Sequence, residues 1–366
     1  MSVPLFDPRT PLEPLQPAIR AALDEVLAGG QWILGPQVEA FEEEWAAYCG
    51  TTHAVGVANG TEAITIALRA LGVGPGDEVV VPSFTYFASA EAVPPTGARP
   101  VFCDVDPDTM CVTLETVRAA VTPRTKAVIA VHLFGNVAPV VELEEALGLP
   151  VVEDAAQAAG SRGAAGRPGN LGTVATWSFY PSKNLGAFGD AGAITTSDGA
   201  LAERVRILRF HGSRDKETYL EVGYNSRLDE LQAAVLRAQL PSLDAWAAHR
   251  HGAAAWYAEA GLGEVAALPV PTPGAMPAWH LYVARMEEPD RVAAALAERG
   301  IGARGYYRVP AHRQPAFAAE HGAADLPGTE DAARRHLALP ISAAITREQV
   351  REVVAAVRDA VARPLP

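Results

Sequence analysis

Asp154 and Lys183 are the residues whose types and placement permit the most definite chemistry. The apolar run Leu149 to Val152 ends in the acid pair Glu153 and Asp154, and a second β-type run, Val174 to Tyr180, delivers Ser178, Ser182 and Lys183 into a loop holding Gly186, Gly189 and Gly192. A carboxylate and a lysine at the carboxyl ends of strands lie on the edge where open α/β sheets bind ligands, so one sheet can bring both to one ligand. A lysine for a Schiff base and an acid to keep a pyridine nitrogen protonated are what pyridoxal phosphate asks of a protein. Each residue alone also has a plainer reading, as a turn or helix cap for the Asp and a solvated loop residue for the Lys. A free Lys has a pKa of about 10.4 and is almost wholly charged at neutral pH, so a nucleophilic Lys183 needs desolvation or prior attachment to the cofactor.

A second stretch suits an anion. The apolar segment Ala54 to Ala58 runs into Asn59-Gly60-Thr61, and a helix with Ile64, Leu68 and Leu71 on one face begins at once. Free N–H groups at a helix start, beside a glycine and a hydroxyl, make a phosphate cradle. Asn59 and Thr61 equally suit helix capping. The two readings are compatible, because a bound phosphate is itself an anionic cap.

VEDAAQ followed by SFYPSKNLGAFGDAG resembles the DegT/DnrJ/EryC1/StrS family of sugar aminotransferases, of the aspartate aminotransferase fold type, and matches recur along nearly the whole chain. The resemblance implies pyridoxal 5'-phosphate on Lys183, with pyridoxamine 5'-phosphate as its alternate form, and Asp154 at the pyridine nitrogen. It further implies Gly60, Thr61 and Ser178 at the phosphate, Tyr86 of VPSFTYFASAEAV against the ring, and Gln157 by the ring's face or phenolic oxygen. Asn225 of GYNSRLDELQAAVL sits just ahead of a helix start, where it reads as a cap or turn residue. In the family the matching Asn reaches the cofactor phosphate of the neighbouring protomer, which implies a homodimer with shared active sites.

The implied reaction moves an amino group from glutamate to a nucleotide-linked keto-sugar. GYNSRLDELQAAVL and YYRVPAHRQPAF are most similar to members acting on deoxythymidine-diphosphate 3-keto-6-deoxyhexoses, which points to Tyr306, Tyr307 and His312 as substrate contacts. A 4-keto-sugar nucleotide or a keto-inositol is the alternative acceptor. Ala159 stands where the family commonly has His, and Phe210 where an Asn commonly precedes His-Gly. A related branch dehydrates sugars with His in place of the lysine, which Lys183 speaks against. A non-catalytic ligand-binding regulator on the same fold is disfavoured by Lys183, Asp154 and the Gly60-Thr61 cradle standing together.

The rest of the chain must position these groups. At 366 residues and 49% hydrophobic content it can bury a sizeable core, and we expect an extended Pro-rich arm (1–12), a large cofactor-binding domain (13–245) and a small C-terminal domain (246–366). Apolar strand-like and helix-like segments alternate from Ala54 to Thr196, the pattern of a mostly parallel sheet covered by helices on both faces, in an α/β protein. Expected elements include a helix over Phe84 to Val93 and strands over Lys126 to Phe134 and His280 to Arg285. The smaller α+β domain follows Pro241, with helices over Asp290 to Arg299 and Arg347 to Ala362.

The net charge of -13 argues against nucleic acid or an anionic membrane as partner. Cys49, Cys103 and Cys111 form neither a CxxC pair nor a disulfide framework, and no apolar run approaches about 18 residues, so a cytoplasmic setting is expected. There is no GxxxxGK[ST], GxGxxG, HExxH or GxSxG, and the nine histidines show no metal-ligand spacing, so no metal is expected.

Overall fold

The computed structural model describes residues 2–362. Seven strands form one sheet: β1 (His53–Val57), β2 (Glu78–Pro82), β3 (Arg99–Cys103), β4 (Thr125–Val131), β5 (Val151–Asp154), β6 (Val174–Ser178) and β7 (Gly192–Thr196). Their order across the sheet is β1-β7-β6-β5-β4-β2-β3, and only β7 runs against its neighbours. Nearly every strand residue is buried, as a sheet with both faces covered requires. Alternation along β7 shows the two faces: Ile194 enters the core with Ile64 and Leu68 of the helix Gly60–Ala70, whereas Ala193 joins Phe41, Trp45 and Trp177 round the helix Pro36–Cys49.

A second, antiparallel sheet pairs β8 (Tyr282–Arg285) with β9 (His336–Leu339). Val292, Leu296, Val353 and Val357 of the helices Pro289–Glu298 and Arg347–Ala362 share its core. The helix Leu243–Glu259 serves both cores, with Leu243 packed near Trp177 and Tyr257 stacked on Tyr282 at 4.4 Å between ring centroids. The N-terminal arm lies along the C-terminal part: the Val3 N–H donates to Gly300 O (3.0 Å) and Val3 O accepts from Gly302 N–H (2.8 Å). Phe6 is thereby set 6.1 Å from His280 and 6.4 Å from Tyr306, ring to ring.

Three local departures from the sequence expectation have physical causes. The helix expected over Phe84 to Val93 contracts to Ala88–Glu91, because Pro94 and Pro95 halt it in a 3-10 turn (Pro94–Thr96) and the segment before it is a loop beside the ligand edge. Strand β4 ends at Val131 rather than Phe134, because Phe134 and Gly135 take positive φ (58° and 93°) and turn the chain. Strand β9 and the helices Pro315–His321 and Pro327–Arg335 occupy a region where no element was expected.

Candidate active site

Strand alternation separates the two acids at the end of β5. Glu153 faces the interior, where its carboxylate accepts from the N–H groups of Gly169 (2.9 Å), Leu171 (2.8 Å) and Gly172 (2.9 Å) and meets His132 Nε2 at 2.9 Å. Asp154 lines a cavity of about 940 Å³ on the carboxyl edge of the sheet. Its Oδ2 accepts from Ser89 Oγ at 2.6 Å and its Oδ1 from the Ala156 N–H at 3.2 Å, while Ser89 Oγ is also 2.9 Å from Thr85 Oγ1. Ser89 reaches this acid from the short helix Ala88–Glu91 that follows β2.

Lys183 enters the same cavity from the loop after β6, anchored by its N–H to Tyr180 O at 2.8 Å. Burial pulls its amine down to about 8, and Asp154 opposes that shift. Such an amine is a far better nucleophile and base near neutral pH than a solvated lysine.

At the start of the helix Gly60–Ala70, Asn59 Oδ1 accepts from the Glu62 N–H at 2.9 Å, so Asn59 is the cap. The N–H groups of Gly60 and Thr61 have no protein acceptor among the described residues. A Cβ on Gly60 would stand 2.7 Å from Ser178 Cβ, which holds a glycine there and brings the Ser178 hydroxyl against the helix start. Unspent donors, a hydroxyl and a glycine, all lining the Lys183 cavity, suit a phosphate at this point.

The aromatic wall comes from both parts of the chain. Gln157 Oε1 accepts from the Phe134 N–H (2.6 Å) and its Nε2 donates to Tyr307 Oη (3.2 Å). Tyr307 lies 5.8 Å from Tyr86 and 6.4 Å from Phe134, centroid to centroid, and burial pushes its phenol up. Tyr306 packs beside it, with the Arg304 guanidinium 5.3 Å from its ring. Tyr86, more than half exposed, leaves a face toward the cavity.

Asp154, Lys183, Gly60, Thr61, Tyr86, Gln157, Ser178, Tyr306 and Tyr307 are therefore brought together. His312 does not line this cavity: it is fully buried, with Nδ1 2.5 Å from Ser83 Oγ and Nε2 3.4 Å from Glu330, and so fixes the chain after β2. Asn225 also lies outside it, exposed, bridged to Phe210 through the backbone and hydrogen-bonded by Arg227. Ala159 is buried away from the cavity, its carbonyl accepting from Asn184. Sequence reasoning missed Ser89, Phe6 and His280. Ser89 carries no local signal, and His280 reads as the first residue of a strand. Burial, Lys183 and Arg250 hold the His280 imidazole well below its usual pKa, and its Nδ1 has no partner among the described residues.

Comparison with known proteins bears on this geometry. The model of the DegT/DnrJ/EryC1/StrS aminotransferase family matches residues 14–358. The chain belongs to this family. A relative, the dTDP-3-amino-3,4,6-trideoxy-alpha-D-glucose transaminase of Streptomyces venezuelae, is 47% identical over 363 residues, covering 98% of this chain and 96% of the relative. The crystal structure of S. venezuelae DesV in complex with a ketimine intermediate superposes with a TM-score of 0.95 at 47% identity, covering 99% of both chains. NtdA of Bacillus subtilis, solved with bound cofactor PMP, superposes with a TM-score of 0.88 at 29% identity over 99% of this chain and 86% of that one. The shared fold and the family match make the chain a sugar aminotransferase of the pyridoxal phosphate-dependent kind. Among the described residues, no group of three or more His, Cys, Asp or Glu is placed to hold a metal ion, and no helix is long and apolar enough to cross a membrane.

Proposed function

We propose that this chain transfers an amino group from glutamate to a nucleotide-linked keto-sugar, specifically a dTDP-3-keto-6-deoxyhexose, using pyridoxal 5'-phosphate held at Lys183. The observation that carries the reading is that Lys183, Asp154 and the Gly60-Thr61-Ser178 cradle face one cavity. When bound, the cofactor supplies an electron sink for the carbon from which the proton leaves. Asp154, fixed by Ser89 and Ala156, holds a proton on the pyridine nitrogen. Lys183 Nζ, whose proton affinity burial lowers, would take the donor's α-proton and return it on the other side of the transfer. The free N–H groups of Gly60 and Thr61 and the Ser178 hydroxyl bind the phosphate, and Tyr86 and Gln157 orient the ring. The cavity of about 940 Å³ is near the upper end for small-molecule sites, as cofactor and nucleotide sugar together require. The choice of a dTDP-3-keto acceptor rests on the S. venezuelae transaminase and on the Tyr306-Tyr307 wall, with Tyr306 and Tyr307 as substrate contacts.

The chain has three lysines, so the test is unambiguous. Protein reconstituted with the cofactor is expected to absorb in the visible, and borohydride followed by peptide mapping is expected to place the reduced adduct on Lys183. Lys183→Ala removes both signals. An adduct on Lys126 or Lys216 instead would overturn the assignment.

A further inference from the structure

Lys183 lines two cavities. The second, of about 310 Å³, is also lined by Asn184, Gln239 and Arg250 and by Asp7 and Arg9 of the N-terminal arm, and none of the phosphate-cradle residues reaches it. Three elements fix Arg250: it projects from the helix Leu243–Glu259, and its Nη1 donates to Trp279 O (3.1 Å), just before β8, and to Ile341 O (3.3 Å), just after β9. Among the described residues no carboxylate lies within ion-pair reach of Arg250. Arg9 is paired with Glu13 at 3.7 Å, and the Asp7 carboxylate accepts from the Arg9 and Thr10 N–H groups at 3.2 and 2.9 Å.

Arg250 is half-buried at the wall of this cavity, and a partly desolvated cation without a counter-ion gains when an anionic ligand completes the pair. Burial pulls the Arg250 guanidinium down to about 10, which leaves it charged at neutral pH. Its field reaches His280, which lines the first cavity with Lys183, so its charge is close to the reacting region. The cavity volume is at the lower end for small-molecule sites, the size of an amino acid rather than a sugar nucleotide.

We propose that the smaller cavity is the amino-donor subsite, and that Arg250 binds a carboxylate of the donor amino acid while the donor's amine meets the cofactor beside Lys183. The inference rests on the aminotransferase reading above. The remaining guanidinium donors allow a charge-assisted, two-pronged contact that suits a carboxylate, and a donor without a negative group gains nothing from it.

The two half-reactions separate this site from the acceptor's. In Arg250→Gln, the glutamate concentration needed for half-maximal bleaching of the holoenzyme's visible band is expected to rise about 10- to 100-fold, the value of one charged hydrogen-bonded contact. The same measurement for the reverse half-reaction, driven by an amino-sugar nucleotide, is expected to shift less than about twofold. Arg250→Lys, which keeps the charge, is expected to fall between wild type and Arg250→Gln in its glutamate requirement. Glutarate, a dicarboxylate with no amine to react, is expected to compete with glutamate on the wild-type holoenzyme but not with the amino-sugar nucleotide, a result independent of whether any variant folds. Unchanged glutamate dependence in Arg250→Gln, equal weakening of both half-reactions, or no competition by glutarate would overturn the proposal. A wild-type protein whose Lys183 forms no cofactor adduct would overturn the aminotransferase reading first, and the proposal with it.

Discussion

The Asp154 carboxylate sits between the Ser89 hydroxyl and the Ala156 N–H, so Asp154→Asn preserves volume and one acceptor while removing the charge that would keep a pyridine nitrogen protonated. The variant is expected to retain cofactor and to lose roughly 100-fold or more in the rate of the glutamate half-reaction, read by stopped-flow absorbance. A near-normal rate would show that another group holds that proton. Lys183 makes a second prediction at this scale. With the amine pulled down to about 8 from its ordinary 10.5, the native apoprotein binds fewer protons than the unfolded chain between those values, so its stability rises with pH across that window. Lys183→Met is expected to flatten the rise in urea unfolding measured from pH about 7 to about 10; an unaltered slope would assign it to other groups. Lys183 and Asp154 were legible in the sequence because each follows an apolar strand-like run. Ser89 was not, since its partner is 65 residues away and only the finished sheet brings them together.

At the scale of elements, one carboxylate joins two helices. Glu230, in the first turn of the helix Glu230–Gln239, accepts from the N–H groups of Gly35 (2.8 Å), Gln37 (2.9 Å) and Val38 (2.8 Å) at the start of the helix Pro36–Cys49. It caps a helix distant in sequence, where its charge meets the positive end of the macrodipole. Glu230→Ala is expected to cost about 2–4 kcal/mol in urea denaturation, since it leaves two buried donors and one half-buried donor without an acceptor; a loss within about 0.5 kcal/mol would mean that water replaces the carboxylate. The sequence showed Glu230 only as part of a charged helix start. Strands β2 and β5 were plain because both faces are apolar, but the reversal of β7 was hidden, because a buried strand reads alike in either direction. β9 escaped notice because its four residues, His336 to Leu339, offer too short a pattern.

For the whole molecule, Asn225 is the residue that the family resemblance assigns to a neighbouring copy's site. It is exposed and away from the cavity it is expected to serve, so its reach to a cofactor phosphate would be across a two-fold interface. Mixing Lys183→Ala with Asn225→Asp, which sets a negative charge against the phosphate, is expected to restore activity, because each heterodimer has one pocket with both defects and one with neither. Up to about half of the heterodimer sites should recover. Heterodimers that form and recover nothing would place Asn225 in its own subunit's service. The sequence carried this expectation only through the GYNSRLDELQAAVL motif, since no pattern within one chain reveals which surface a partner would cover. The nitrogen's destination can be followed by incubating the holoenzyme with nitrogen-15-labelled glutamate and a dTDP-3-keto-6-deoxyhexose and identifying both products by mass spectrometry. A dTDP-3-amino sugar carrying the heavy nitrogen and an equal amount of 2-oxoglutarate are expected; a keto-sugar recovered intact, with Lys183 carrying the cofactor, would contradict this transfer.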